Sequence, residues 1–156
     1  MTVFTQERLG LLNAAYARSI DNDLVEQWPG YFTEDCLYVV TTADNHAAGM
    51  RAGVIYADTR GMLEDRVSAL REANIYEQHR YRHIVGLPLV LEQDAAQARV
   101  ETPFLLARTM RDGQTQLFLA GRYVDRVVQE DGELRLAERI VVCDSQDFDT
   151  LLAIPL

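Results

Sequence analysis

Imidazole is the side chain that both binds metals and moves protons near neutral pH, so the three histidines are the first residues to weigh. His79 and His83 stand four positions apart, with His46 far upstream. That spacing puts both rings on one face of a helix or a strand, within reach of one metal ion. A metal centre needs more than two ligands. The chain has no His-Glu-x-x-His, no His-x-Asp, and no carboxylate-x-x-His-x-x-x-x-His string that would complete a facial triad for iron. His79 and His83 therefore read as hydrogen-bonded histidines near the start of a strand. A second group, Asp44, Asp58, His46 and Tyr38, falls near a helix-to-sheet junction and suits acid–base chemistry if a pocket opens there. Nucleophile motifs and glycine-rich phosphate loops are missing. Cys36 and Cys143 sit in apolar, strand-like runs without an activating base and are expected as reduced, buried thiols. The run YEQHRYR, Tyr76 to Arg82, has the aromatic and arginine density of an interface, which makes Arg80, Arg82 and His83 candidate subunit contacts.

The elements that must position these residues divide into helices first and sheet second. Thr5 can cap a helix with Leu9, Leu12, Tyr16 and Ile20 on one face, and Asp21 or Asn22 can cap a second carrying Leu24, Val25 and Trp28, stopped by Pro29-Gly30. Cys36 to Thr41 predicts a first strand, and ADNHAAGMRAG after it a loop. Thr59 or Asp58 opens the longest helix, with Leu63, Val67 and Leu70 at helical spacing as far as about Ile75. From residue 79 the period becomes two. Tyr81, His83, Val85 and Leu87 alternate with Arg82, Ile84 and Gly86. Strands follow over Gln97 to Met110 and Gln114 to Val128, with Asp112-Gly113 and Asp131-Gly132 as hairpin turns. The last strand places Leu134, Leu136, Ile140 and Val142 on one face, and Arg135, Ala137 and Arg139 on the other. Gly121, Pro88 and Pro103 are candidate bend sites. Helices ahead of a long, curved, mainly antiparallel sheet make an α+β domain over residues 1–156, with a cone-shaped cavity between helices and sheet.

Twenty-four acids against fifteen bases, all arginine, give a net charge of −9, which repels phosphate backbones and argues against nucleic-acid binding. The first ten residues carry an acid and no sustained apolar run, and no stretch approaches the roughly 20 apolar residues of a membrane span, so a cytoplasmic location is expected. A cone of this outline serves an isomerase or dehydratase, a ligand-binding module or a scaffold equally well.

Longer strings narrow the choice. NAAYARSIDNDLVEQWPGYFTEDCLY at the front, ALREANIYEQHRYRHIVGLP in the middle, and AGRYVD, LRLAERIVVCDS and DTLLAIPL at the end resemble, in that order, the small (β) subunits of Rieske-type aromatic ring-hydroxylating dioxygenases. The resemblance runs from about Leu11 to Leu156, and it is strongest to members acting on aromatic carboxylates, with salicylate- and benzoate-type small subunits similar too. It departs from many members at Ile84-Val85-Gly86-Leu87-Pro88, where they carry Asn soon after the Arg-His pair. The resemblance implies an NTF2-like (cystatin-like) cone and a structural subunit of an α3β3 hexamer, its small subunits forming a homotrimer. The large (alpha) subunit would hold a Rieske [2Fe–2S] cluster and a mononuclear iron, fed from NADH or NADPH through a separate reductase. No cofactor is expected in this chain, since a Rieske centre needs two cysteines and two histidines on closely spaced loops.

Overall fold

The computed structural model describes residues 2–50, 53–72, 79–145 and 154–156. Thr5 caps the first helix, α1 (Gln6–Asp21), by accepting the Arg8 backbone N–H at 3.2 Å. Leu9, Leu12, Tyr16 and Ile20 are buried along one face at helical spacing, joined by Asn13 and Ala17. The expected second helix differs from its prediction. α1 runs through Asp21, Asn22 ends it, and Asp23 takes a positive φ of 59°. Only a 3-10 helix, Val25–Tyr31, follows, because Pro29 inside it cannot donate a helical hydrogen bond. Its Trp28 is nonetheless fully buried.

The first strand is longer than predicted, β1 (Phe32–Thr42). The expected loop holds a one-turn helix, α2 (Ala43–Ala47), capped by Thr42, and the short strand β2 (Ile55–Ala57) pairs antiparallel with β1. Thr59 caps α3 (Arg60–Glu72), accepting from the Met62 N–H at 3.1 Å, and Leu63, Val67 and Leu70 face inward as their spacing predicts. The expected continuation of α3 to about Ile75 lies outside the described residues.

The rest is sheet: β3 (His79–Val85), β4 (Leu89–Gln93), β5 (Gln97–Met110), β6 (Thr115–Glu130) and β7 (Glu133–Cys143). Strand order is β2-β1-β7-β6-β5-β3, with β4 also on β5. Every pairing is antiparallel but one: β7 runs parallel to β1 and joins the front of the chain to its last strand. Both predicted turns form. Asp131 and Gly132 have φ of 52° and 82°, the doubly left-handed turn that matches strand twist, and Gly113 takes φ of 88° in the other hairpin. Among the described residues no helix is long and apolar enough to cross a membrane.

Two local features shape the inner surface. β7 carries an extra residue, since Arg126 pairs with Glu138 while Val127 pairs with Leu136, leaving Ala137 unmatched. A one-residue bulge exchanges the faces of everything beyond it. Arg139 and Val141 therefore turn inward with Leu134 and Leu136, and Ile140 turns outward, the reverse of the strict alternation expected from sequence. Gly121 of β6 pairs with Cys143 of β7. A Cβ there would lie 2.1 Å from the Val142 carbonyl oxygen, so any side chain must push the strands apart. Gly121→Ala is expected to destabilise the fold by about 1–3 kcal/mol through overpacking. Gly10→Ala, in α1 with nothing within 4 Å, is expected to stabilise it by about 0.5–1 kcal/mol. Urea unfolding of both variants checks the contrast.

Candidate functional site

The bulge delivers a charge to the centre of the molecule. Arg139 is 0% exposed, and its guanidinium meets Asp125 of β6 in a two-pronged pair, Nε to Oδ1 at 2.9 Å and Nη2 to Oδ2 at 2.7 Å. Nη2 also donates to Asn13 Oδ1 of α1 at 2.6 Å, and Asn13 Nδ2 donates to Thr102 Oγ1 of β5 at 3.3 Å. Two aromatic rings turn their faces to the guanidinium: its central carbon lies 4.3 Å from the Tyr16 ring centroid and 3.9 Å from that of Tyr123. Phe104 stacks on Tyr123 at 4.6 Å. Burial disfavours the Arg139 charge, but Asp125 beside it more than offsets this and holds the group protonated. The network thus joins α1, β5, β6 and β7 through one cation.

Next to it lies a cage of edge-on rings, with Trp28 5.2 Å from Tyr38 and Phe32 6.1 Å from Tyr16. Burial raises the pKa of the Tyr16, Tyr38 and Tyr123 hydroxyls, so all three stay protonated at neutral pH. Tyr16 and Tyr38 both bond the main chain of Leu156, which is itself fully buried. A salt bridge, aromatic rings and the chain's own residue 156 thus occupy the inner part of the space between helices and sheet, while a hollow of about 630 Å³ lies where the end of α1 meets β3, bordered by Ile20, Asp21, Tyr81 and Ile154.

The candidate histidines part company. His83 faces inward, its Nδ1 2.7 Å from Asp21 Oδ1 and its backbone N–H donating to Asp21 Oδ2 at 2.8 Å, with the imidazole 0% exposed. The Asp21 carboxylate selects the tautomer protonated on Nδ1, the arrangement of an acid–base dyad. The dyad packs against the Tyr81 and Phe104 rings, each with its centroid 6.3 Å away. Its visible work is to tie the end of α1 to β3. His79 lies against Tyr81 at 5.0 Å between centroids, and among the described residues no three His, Cys, Asp or Glu side chains gather as a metal ion requires. Asp44, Asp58, His46 and Tyr38 are not brought together: Asp44 and Asp58 are exposed, Tyr38 is in the core, and His46 borders a hollow of about 210 Å³ on the opposite face of β1. Both cysteines are free and buried, and burial pushes the thiols up to about 11 for Cys36 and about 12 for Cys143.

The outer face of the sheet is the inverse of the filled interior. Arg80, Arg82 and Ile84 are the outward residues of β3, and Ile84 pairs with Leu105 of β5. Ile84, Leu87, Leu89, Leu91, Leu105 and Leu117 are between 45% and 74% exposed, and all lie on or beside β3 to β6. Apolar side chains of that size are seldom gathered on the outer face of a monomer. Residues 76–78 of the YEQHRYR run lie outside the described residues.

The family described as ring hydroxylating beta subunit matches residues 15–150. The chain belongs to that family. It is 56% identical, over 96% of its own length and 97% of the relative's, to terephthalate 1,2-dioxygenase, terminal oxygenase component subunit beta 1, of a Comamonas species. It is also similar to a crystal structure of a beta subunit assigned to an aromatic-ring-hydroxylating dioxygenase of Novosphingobium aromaticivorans, with 40% identity, a TM-score of 0.89, and 97% and 96% of the two chains covered. A protein of the same organism assigned as a scytalone dehydratase shares the fold alone, with 18% identity, a TM-score of 0.69, and 96% and 91% covered. This beta subunit is thus the non-catalytic component of a ring-hydroxylating dioxygenase on an NTF2-like cone.

Sequence reasoning missed the Arg139 network, because strict alternation placed Arg139 on the outer face. The available signal was charge: Asp125 stands in an apolar strand pattern, and a carboxylate there needs a buried cation. Removing one partner of a buried pair leaves an uncompensated charge. Asp125→Ala is expected to destabilise this beta subunit by about 3–5 kcal/mol, and adding Arg139→Met to restore much of the loss. A double-mutant cycle by urea unfolding tests this; simple additivity of the two changes would contradict it. Ellman's reagent at neutral pH is expected to label neither thiol in the folded chain and both in denaturant.

Proposed function

We propose that residues 1–156 act as a single domain, the structural small subunit of a dioxygenase that cis-dihydroxylates an aromatic dicarboxylate, terephthalate. Three copies would form a trimer carrying three large subunits. The large subunits would hold the Rieske cluster and mononuclear iron and draw electrons from NADH or NADPH through a reductase. One observation carries the substrate: 56% identity to the Comamonas terephthalate enzyme's beta subunit across nearly the full length of both chains. The structural role rests on the match to the beta-subunit family and on the exposed apolar outer face, beside an inner core in which the Arg139 network and Leu156 are buried.

In this reading the contact surface is the β3 side of the sheet. Arg80 and Arg82 would supply bidentate ion pairs to partner carboxylates, with Ile84, Leu105 and Leu117 as the apolar ground between them. His83 contributes from beneath. Its bond to Asp21 holds β3 against α1, so losing it would disturb the strand that carries both arginines.

Co-expression with a terephthalate-type Rieske large subunit, followed by light scattering and iron analysis of each peak, tests the assembly. The expected species contains three copies of each subunit and carries iron. A well-behaved chain that ignores the large subunit would overturn the proposal. Arg82→Glu is expected to lower the yield of the complex at least tenfold while leaving thermal unfolding of the isolated chain unchanged, since a reversed interface charge costs several kcal/mol across a contact and little in solvent. Normal complex yield with lost activity would remove Arg82 from the interface.

A further inference from the structure

Leu156 is held in the way a ligand is held. An apolar side chain alone would seat a covalently attached segment, yet here each part of one residue has a partner. The main-chain oxygen accepts from Tyr16 Oη at 2.5 Å and from Tyr38 Oη at 3.1 Å, and the N–H donates to Tyr38 Oη at 3.0 Å. The side chain is 0% exposed within the apolar core. The two hydroxyls come from separate elements, α1 and β1, and converge on one oxygen. Their rings are braced by neighbours that do not belong to the segment: Phe32 lies edge-on to both, at 6.1 Å from Tyr16 and 5.8 Å from Tyr38, and Trp28 lies edge-on to Tyr38. Two buried donors pointing at one acceptor position, on a frame that stands without the acceptor, make a preorganised site. If residue 156 left, both hydroxyls would lose these partners, a state that favours any ligand able to restore them.

The chemistry of the occupant defines the ligand class. Its requirements are one carbonyl oxygen for two phenol donors, one N–H for a phenol acceptor, and a branched apolar body on the carbon between them. We propose that the inner end of the cone is a small-ligand site for this N–H, branched side chain and carbonyl unit. Residues 154–156 are its resident ligand, and an N-acylated branched-chain amino acid or short peptide takes their place when they are displaced. The site is separate from the outer contact face, and it does not depend on which large subunit the chain joins.

The test uses the full chain with Leu156→Asp, in which an unpaired carboxylate disfavours burial and displaces the segment. N-acetyl-Ile-Pro-Leu is titrated into this variant and into the unaltered chain, with binding read by calorimetry and by the rise in melting temperature. Saturable one-to-one binding to Leu156→Asp is expected, about tenfold or more tighter than to the unaltered chain, where the attached segment competes at high effective concentration. Adding Tyr38→Phe is expected to weaken peptide binding about tenfold, the effect of one lost buried hydrogen-bonding partner. A cooperatively folded Leu156→Asp chain that binds no peptide, or binds it equally well without the Tyr38 hydroxyl, overturns the proposal. Should Leu156→Asp not fold, hydrogen exchange on the unaltered chain decides. The Leu156 amide is expected to be protected, and saturating peptide to speed its exchange at least tenfold by displacement; exchange unchanged by peptide overturns the proposal.

Discussion

A guanidinium buried in the middle of a small domain is the constraint to which the rest of this structure answers. Taking Arg139 out of water is worth several kcal/mol against folding, and an opposite charge with hydrogen-bonding and aromatic neighbours offsets it. Asp125 supplies the opposite charge in the two-pronged geometry that arginine favours, Asn13 takes a third N–H, and the Tyr16 and Tyr123 rings lie against the group. These partners come from α1 and β6, Arg139 itself stands on β7, and Asn13 reaches on to Thr102 in β5. One charge thus sets the depth of α1 against the sheet and the register of three adjacent strands. An apolar residue in its place could pack in several ways, whereas a fork-shaped cation with fixed acceptors accepts one.

With that network in place the inner end of the cone is packed, and the open space, about 630 Å³, lies between the end of α1 and β3. The aromatic cage beside it is occupied by Leu156, and the His83–Asp21 dyad packs against rings. The same fold in a protein assigned as a dehydratase shows that the architecture is not tied to either use. In this chain polar chemistry inside the cone works as structure, and the large apolar side chains exposed among the described residues of β3 to β6 lie outside. The division suits a subunit whose contribution is to be held by others.

Much of this was legible in the sequence. The period-3.6 faces of α1 and α3, the Thr5 and Thr59 caps, the strand at Gln97 to Met110 and both Asp-Gly turns follow from local rules, because each depends on neighbours within a few residues. The order of the strings quoted above likewise pointed to the family. Short elements were harder to see. The 3-10 helix at Val25–Tyr31 and the three-residue β2 lack the length over which a period can be counted.

What the sequence by itself determined, then, was fold class, helix faces, turns and kinship, all properties of local pattern or of many residues taken together. What only the tertiary structure decided was the inside of the cone. The extra residue at Ala137 turns Arg139 inward, the parallel pairing of β7 with β1 brings residues 32–42 beside 136–143, and Tyr16 and Tyr38 meet at Leu156. Each of these joins positions that are far apart in sequence, and a bulge reverses a strand's faces without changing its composition. A periodic pattern cannot record such a reversal; it is set when β6 and β7 find the register in which Asp125 and Arg139 face each other.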